Sequence, residues 1–217
     1  MAAHPRWSCQ PPGGRTGGFA AAIGSTLIAV DAEILKTFED AGAYLSGHFL
    51  LTSGRHSDRY MEKFNLLQWP EKTEVVCRRM ADAMREHQPV TVVGPTTGGV
   101  ILSYEVARQL DLRGVIAEKN DAGGLSIQRD FTLEPGERVL VVDDILTTGG
   151  SVVQTLDAVR EAGGEVVGVA VMVDRTGGQA DFGVPFFAAT ELNIDSWEPA
   201  DCPLCRDDVE LTNPKKK

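Results

Sequence analysis

From Val90 onward the chain alternates short apolar segments, loops rich in glycine or acidic residues, and amphipathic helices. One unit reads VTVV, GPTTGG and VILSYEVARQL, a later one reads RVLVV, DDILTTGG and SVVQTLDAVREAGG, and apolar segments also occur at GVIAE, EVVGVAVMV and VPFFAATEL. Segments that are apolar at nearly every position form strands buried on both faces, as in parallel sheets covered by helices. The pattern therefore predicts an α/β fold with a doubly wound, mostly parallel sheet flanked by helices.

Ligands of such open sheets bind outside the carboxyl ends of the strands. The candidate site is therefore expected on the loops that follow Val93, Glu118, Val142 and Val173.

Two helices are predicted before this repeat. Asp31 is a suitable N-cap for a helix whose apolar residues keep helical spacing until Gly42 ends it. Pro70 stands where the first residue of a second helix belongs, and that helix should end before Pro89.

The chain is long enough for one large domain. With 217 residues and 42% hydrophobic content it can bury a sizeable core, so residues 26–211 are predicted to form a single domain that includes an N-terminal hood, residues 27–65. Residues 1–25 contain Pro11, Pro12 and five glycines without any helical or strand period, and they are expected to be a flexible extension. Residues 212–217 are expected to be a loose tail.

Charge and hydropathy exclude several classes of partner. The formal net charge of −10 and the pI near 4.9 disfavour nucleic acid and membrane surfaces, since both are polyanionic. No apolar run approaches the ~20 residues of a membrane-spanning helix, and the N-terminus lacks the order of a secretory signal. A cytoplasmic location is therefore expected.

The strongest motif is VLVVDDILTTGGS, residues 139–151, in which an apolar strand ends in Asp143 and Asp144. The turn that follows could direct backbone N–H groups, hydroxyl groups and a helix N-terminus at a phosphate. Two carboxylates would repel that phosphate, so hydroxyl groups or a cation are their natural partners. The turn residues are Thr147, Thr148, Gly149, Gly150 and Ser151.

This segment resembles the diphosphate-sugar signature of the phosphoribosyltransferase family: an apolar strand, two acids, two variable residues (here Ile145 and Leu146) and T-[TA]-G. The resemblance implies that the acids hold ribose hydroxyls, that residues 147–151 hold the 5-phosphate, and that Asp144 is catalytic. A response-regulator receiver is disfavoured because complete helix and strand units precede this strand. A Walker A loop is disfavoured because no GK[ST] ends the turn.

GPTTGG, residues 94–99, could bind the departing diphosphate through backbone N–H groups. The family places its diphosphate loop here, although many orotate enzymes carry a lysine where this chain has Thr97 and Gly98. Other residues must then neutralise the diphosphate.

IAEKNDAGGLSIQRDF, residues 116–131, has the polarity and glycine content of a mobile flap. A cationic lid that excludes water suits the charge that develops on the departing diphosphate. The resemblance assigns this role to the loop, often across a dimer interface, and so implies that Lys119 and Arg129 are catalytic in a homodimer with a shared active site. Unlike bacterial members of the family, the loop has no histidine and one lysine, and a solvated charged loop is the alternative.

The segment GHFLLTSGRHSDRYMEKF, residues 47–64, resembles the N-terminal hood with which orotate phosphoribosyltransferases cover the pyrimidine. Orotate carries a planar carboxylate, so an arginine should bind that group through paired hydrogen bonds. Arg175, in VMVDRTGG, occupies the context of the family's orotate-binding arginine, and Thr147 would touch the base from the other side. A surface salt bridge between Arg175 and Asp174 is the alternative. The ring nitrogens of His48 and His56 are expected to hydrogen-bond within the hood.

Free thiols are expected for Cys9, Cys77, Cys202 and Cys205, which are too few and too scattered for a disulfide framework. The pair in CPLC, residues 202–205, could be half of a zinc site, but no second CxxC or HxxxH lies nearby in the sequence. A redox role is disfavoured because the acidic, Pro-rich tail would not lower a thiol pKa.

The resemblance covers roughly residues 27–206 and implies transfer of the phosphoribosyl group from 5-phosphoribosyl 1-diphosphate to orotate. Mg²⁺ is the expected cofactor, held mainly by substrate oxygens, so no protein residue is assigned as a metal ligand. A purine-base phosphoribosyltransferase is the nearest alternative. A non-catalytic regulator that senses the sugar diphosphate and binds nucleic acid would need a basic face, which this acidic chain lacks.

Overall fold

A computed structural model describes residues 32–214. The helices are α1 Ala32–Asp40, α2 Lys63–Leu67, α3 Pro70–Met84, α4 Gly98–Leu110, α5 Gly150–Glu161 and α6 Pro203–Arg206. The strands are β1 Tyr44–Leu50, β2 His56–Met61, β3 Thr91–Pro95, β4 Arg113–Lys119, β5 Leu125–Ile127, β6 Arg138–Leu146, β7 Glu165–Asp174 and β8 Phe186–Glu191. Short 3₁₀ turns lie at Arg85–His87 and Pro199–Asp201.

Six strands form the central sheet in the order β5-β4-β3-β6-β7-β8, and β1 and β2 form a separate antiparallel hairpin. Every neighbouring pair in the central sheet is parallel except β4 and β5. The prediction of a doubly wound, mostly parallel sheet is confirmed. The chain winds outward in one direction from β3 and in the other from β6, so the crevice between these two strands is the expected ligand site.

Apolar side chains cover both faces of the sheet. Along β6, Leu140 and Val142 belong to the core on one face, whereas Val139 and Val141 belong to the core on the other, and all four are fully buried. Successive strand residues point to opposite faces, so a strand covered on both sides must be apolar at every position. This burial explains the unbroken apolar runs in the sequence.

Both predicted N-terminal helices are present. Ile34 and Phe38 of α1 are fully buried, and the helix is followed by Gly42 with φ +62°. Pro70 is the first residue of α3. The predicted N-cap Asp31 lies outside the described residues.

The proposed extension, residues 1–25, also lies outside the described residues, as do residues 215–217. Thr212 was expected to begin a loose tail, but its N–H donates to the His48 carbonyl at 2.8 Å and its carbonyl accepts from Leu50 N at 2.9 Å. Backbone pairing with the hood therefore continues to residue 212, and the tail boundary stays a prediction. The single-domain division stays a prediction.

None of the helices between residues 32 and 214 combines the length and the apolar character that crossing a bilayer requires.

The flap contains more regular structure than its composition suggests. β4 continues to Lys119, and β5 returns antiparallel to it, with Ala117 opposite Ile127. Asn120 closes the turn, because its Oδ1 accepts hydrogen bonds from Ala122 N at 3.1 Å and Gly124 N at 3.0 Å. The segment is thus a β-hairpin at the sheet edge, in which polar and glycine residues shape the tip.

Candidate active site

The motif of residues 139–151 lies at the carboxyl end of β6, one of the two strands at the crevice. β6 extends through both aspartates to Leu146, and α5 begins at Gly150. Gly149 adopts φ +78°, a conformation that favours glycine, and it lets the chain turn sharply into the helix. Thr147 and Thr148 are exposed, so this turn and the N-terminus of a 12-residue helix face open space.

The two carboxylates are held rigidly beneath this turn, and Asp143 and Asp144 are only 5% and 6% exposed. Asp143 accepts hydrogen bonds from the Asp144 N–H and the Ser151 hydroxyl, and Asp144 accepts one from Ile145 N at 2.7 Å. Burial, together with the neighbouring Asp144 charge, raises the pKa of Asp143, while the hydrogen bond from Ser151 acts in the opposite direction. The strand end therefore presents two acids in fixed positions.

Lys63 is a site residue that the sequence reasoning missed. Its Nζ lies 2.6 Å from Asp144 Oδ2, and the two side chains are 30% and 9% exposed. Lys63 begins α2, directly after the hood hairpin, so the ion pair joins the hood to the central strand. It is the only lysine between residues 47 and 64, and this feature of the sequence could have indicated its role.

The glycine-rich loop after β3 packs closely against the acids. A Cβ on Gly98 would lie 2.0 Å from Asp144 Oδ2, and a Cβ on Gly94 would lie 2.1 Å from the Gly99 carbonyl oxygen. Only glycine permits these approaches. Thr96 and Thr97 remain exposed at the N-terminus of α4, beside the same crevice.

A cavity of about 530 Å³ opens beside the turn, and Arg175 shares it with Thr147, Thr148 and Gly149. The turn predicted to bind phosphate and the arginine predicted to bind a carboxylate therefore line the same cavity. The remaining lining residues are Leu146, Val153, Thr176, Gln179, Ala180, Asp181 and Phe182.

Arg175 is available for a ligand. Its Nε is buried without a hydrogen-bond partner, and within residues 32–214 no carboxylate lies within ion-pairing distance of its guanidinium. Asp174 instead accepts a hydrogen bond from Thr176 N at 2.7 Å, so the alternative of an Arg175–Asp174 salt bridge is wrong. Burial lowers the pKa of Arg175, and Tyr44 of the hood acts in the opposite direction. A half-buried, unpaired guanidinium favours an anionic ligand.

Lys119 and Arg129 lie away from this cavity. Lys119 is exposed near the hairpin tip, and no acidic partner is found for it in the described part of the chain. Arg129 pairs with Glu118 of β4, with Nη2 2.8 Å from Oε1. This hydrogen bond lowers the pKa of Glu118 and raises that of Arg129. Within one chain, therefore, neither cation lines the pocket that contains Arg175.

The hood histidines hydrogen-bond as expected, with His48 Nε2 2.9 Å from His56 Nδ1. They also meet Cys202 and Cys205, whose Sγ atoms lie 3.4 Å from His48 Nε2 and 3.2 Å from His56 Nδ1, respectively. The sequence near the CPLC pair contains no further ligands. The fold brings two histidines to the pair from about 150 positions earlier in the chain.

Comparisons with known proteins identify the family of this chain. The family described as "Phosphoribosyl transferase domain" matches residues 65–203. The chain is 47% identical to "Orotate phosphoribosyltransferase" of Pelotomaculum thermopropionicum over 84% of this chain and 95% of that protein.

Solved structures also match. The crystal structure of orotate phosphoribosyltransferase from Aeropyrum pernix has a TM-score of 0.63 at 28% identity, and the match covers 73% of this chain and 93% of that one. The orotate phosphoribosyltransferase of Mycobacterium tuberculosis H37Rv in complex with inorganic phosphate has a TM-score of 0.62 at 26% identity, covering 74% and 94%. The chain belongs to the phosphoribosyl transferase family, among the orotate phosphoribosyltransferases.

Proposed function

We propose that the chain transfers the phosphoribosyl group of 5-phosphoribosyl 1-diphosphate to orotate, giving orotidine 5′-phosphate and diphosphate. The observation that carries this proposal is the common cavity of the Thr147–Gly149 turn and Arg175. The product has a phosphate at one end and a carboxylate at the other, and the cavity has a suitable group for each.

The sugar phosphate fits the β6 end. The exposed turn and the N-terminus of α5 suit the 5-phosphate, since unpaired N–H groups and the helix dipole both favour an anion. Asp143 and Asp144 suit the ribose hydroxyls, because a carboxylate accepts hydrogen bonds from two adjacent hydroxyls. Lys63 neutralises Asp144 and holds its orientation.

Arg175 accounts for the choice of base. A planar guanidinium can form two parallel hydrogen bonds with the carboxylate of orotate. Hypoxanthine and xanthine have no carboxylate, so they would leave this half-buried charge unpaired. The purine-base alternative therefore has no counterpart for Arg175.

The transfer breaks the bond between C1 of the ribose and a diphosphate oxygen and forms a bond from C1 to N1 of orotate. The proton that N1 loses goes to the departing diphosphate or to solvent. Positive charge develops on the sugar ring, and negative charge develops on the leaving diphosphate. Asp143 and Asp144 are the groups proposed to stabilise the sugar. The 94–99 loop, which packs against Asp144 through Gly98, is proposed to bind the diphosphate. Positioning and charge stabilisation supply most of the catalysis.

Mg²⁺ is the proposed cofactor. Two carboxylates, Asp143 and Asp144, offer the hard oxygen ligands that Mg²⁺ prefers. Both are already engaged in internal hydrogen bonds, so substrate oxygens must supply most of the coordination. The diphosphate loop contains no cation, and this leaves a need for positive charge there. Bound Mg²⁺ would neutralise the diphosphate as it leaves.

A homodimer with shared active sites is the proposed assembly. Lys119 is exposed and lies outside the cavity of its own chain, which favours its use in the site of a second copy. An apolar groove at the base of the flap contains Tyr104, which is 68% exposed, with Val100, Ile116 and Phe131. Exposed apolar patches of this kind commonly mark subunit contacts.

The test is an assay with 5-phosphoribosyl 1-diphosphate, Mg²⁺ and one base at a time. We expect loss of orotate absorbance, with no product from hypoxanthine or xanthine. Product from a purine base and none from orotate would establish the alternative enzyme. Tight binding of the sugar diphosphate without turnover of any base would support a sensor.

A further inference from the structure

A second cluster of reactive side chains lies outside the transfer site. His48 and His56 come from the hood hairpin, and Cys202 and Cys205 come from the C-terminal segment. One potential ligand atom from each residue lies within 4.8 Å of all the others, and His48, His56 and Cys202 are buried. None of these residues lines the cavity that contains Arg175.

The distances suit tetrahedral coordination. Around Zn²⁺ with bonds of ~2.0–2.1 Å to nitrogen and ~2.3 Å to sulfur, ligand atoms are separated by roughly 3.3 to 3.8 Å. Here the His48 Nε2–His56 Nδ1 distance is 2.9 Å, and three nitrogen–sulfur distances range from 3.2 to 3.8 Å. An ion at the centre would need ligand movements of a few tenths of an ångström.

The hydrogen bonding around His48 fixes the ring for this purpose. His48 Nδ1 lies 2.8 Å from the Val209 carbonyl oxygen, which can only accept a hydrogen bond, so Nδ1 carries the proton. The neutral ring then has its lone pair on Nε2, the atom that faces the cluster. Ligating histidines in metal sites commonly donate their other N–H to a carbonyl in this way.

We propose that His48, His56, Cys202 and Cys205 bind one Zn²⁺ ion in a structural site. Two imidazoles and two thiolates are the soft and borderline ligands that zinc prefers, and four protein ligands leave no position for a substrate. This site is separate from the proposed Mg²⁺, which depends on hard oxygen ligands.

The ion would join two parts of the chain that are far apart in sequence. His56 pairs with Trp197 through two backbone hydrogen bonds of 2.8 Å, and Ser57 Oγ donates to the Asp195 carbonyl at 2.6 Å. Zinc would lock this junction and so hold the hood that delivers Lys63 to Asp144. The site thus stabilises the orientation of the hood, at a distance from the reacting atoms.

The direct test is the metal content of untagged protein, followed by X-ray absorption at the zinc edge. We expect about one zinc per chain, with two sulfur ligands near ~2.3 Å and two nitrogen ligands near ~2.0 Å. Cobalt should replace zinc and show the intense visible bands of a tetrahedral thiolate complex. Three results would each overturn the proposal. They are failure to bind zinc after expression with added zinc, coordination of the zinc mainly by oxygen, and a Cys202–Cys205 disulfide found by counting free thiols.

A matched pair of variants identifies the ligands. Cys205→Ser should weaken zinc binding by at least about 10²-fold, because one ligand is lost. Cys77→Ala should keep one zinc, since Cys77 is buried in α3 and is absent from the cluster. Retention of zinc by Cys205→Ser with unchanged sulfur coordination would contradict the assignment.

Hydrogen exchange tests the structural role without any assay of transfer, so its outcome is independent of the proposed activity. Removal of zinc from the wild-type protein with a chelator should speed amide exchange in β1, β2 and residues 195–212. Exchange in β6 and β7 should change little, because these strands lie in the sheet core. Unchanged exchange in the hood would show that no ion holds it.

Discussion

Lys63 and Asp144 connect the hood to the sheet, with Lys63 Nζ 2.6 Å from Asp144 Oδ2 although 81 positions separate them in the chain. The pair lies beside Gly98, where any larger residue would displace the carboxylate. The hood, the 94–99 loop and β6 therefore meet at one carboxyl group, and we expect a change at any of them to alter the transfer reaction.

Lys63→Ala should lower kcat/KM for the sugar diphosphate by about 10²-fold, because Asp144 loses the cation that orients it. Asp144→Asn should lower turnover to a similar extent while leaving the fold intact. Steady-state kinetics with circular dichroism provide the measurement. Lys36→Ala is the control, since Lys36 forms an exposed ion pair with Asp40 on α1. Wild-type kinetics in Lys63→Ala would refute the role of this pair.

Arg175→Lys should raise KM for orotate by about 10-fold or more, because an ammonium cannot form the paired hydrogen bonds of a guanidinium. KM for 5-phosphoribosyl 1-diphosphate should change little. Arg160→Lys on α5, where Arg160 faces Asp157 at the surface, should leave both constants unchanged. Equal loss of affinity for both substrates in Arg175→Lys would place Arg175 outside the orotate subsite.

Asp143→Asn should stabilise the protein at neutral pH while lowering its activity. Burial raises the pKa of Asp143 above its usual 3.8, so the folded state binds this proton more tightly than the unfolded state does. The favourable contribution is present below pH 3.8 and is lost as the pH rises through the native pKa. The stability difference between variant and wild type should therefore grow from acid toward neutral pH.

Urea unfolding of both proteins across that pH range is the measurement for Asp143. A pH-independent difference between variant and wild type would show that the ionised carboxylate carries no net cost in the folded protein. The cost is expected because functional carboxylates are commonly retained at the expense of stability.

Mixed dimers test the shared site. Lys119→Ala and Asp144→Asn should each be nearly inactive alone. If Lys119 acts in the partner's site, each mixed dimer has one intact site, and co-expression of equal amounts should restore about a quarter of wild-type activity. If Lys119 acts within its own chain, every site is defective and no activity returns.

Local sequence patterns predicted most of the fold, and they indicated several residues that line the candidate site. The apolar runs predicted the sheet because both of its faces are buried, and the residues from Asp143 to Ser151 were predicted because a phosphate turn is contiguous in sequence. A second motif, VMVDRTGG, placed Arg175 at the end of the next strand. Lys63 was not predicted, because its contact with Asp144 depends on how the hood folds back over the sheet.

Other differences have similar physical causes. The composition of residues 116–131 indicated a mobile flap but not its hairpin structure, which comes from the backbone pairing of β5 with β4. The CPLC pair showed no partners because its histidines lie about 150 positions earlier. Contacts between segments far apart in sequence leave no periodic signal, and they account for what the sequence did not predict.

A crystal structure with bound orotidine 5′-phosphate is the most direct test of the proposed active site. We predict that the phosphate accepts hydrogen bonds from the Thr147–Ser151 turn, that the ribose hydroxyls contact Asp143 and Asp144, and that the orotate carboxylate pairs with Arg175. A nucleotide bound elsewhere, or bound with its phosphate on Arg175 and its base on the turn, would contradict the proposed function.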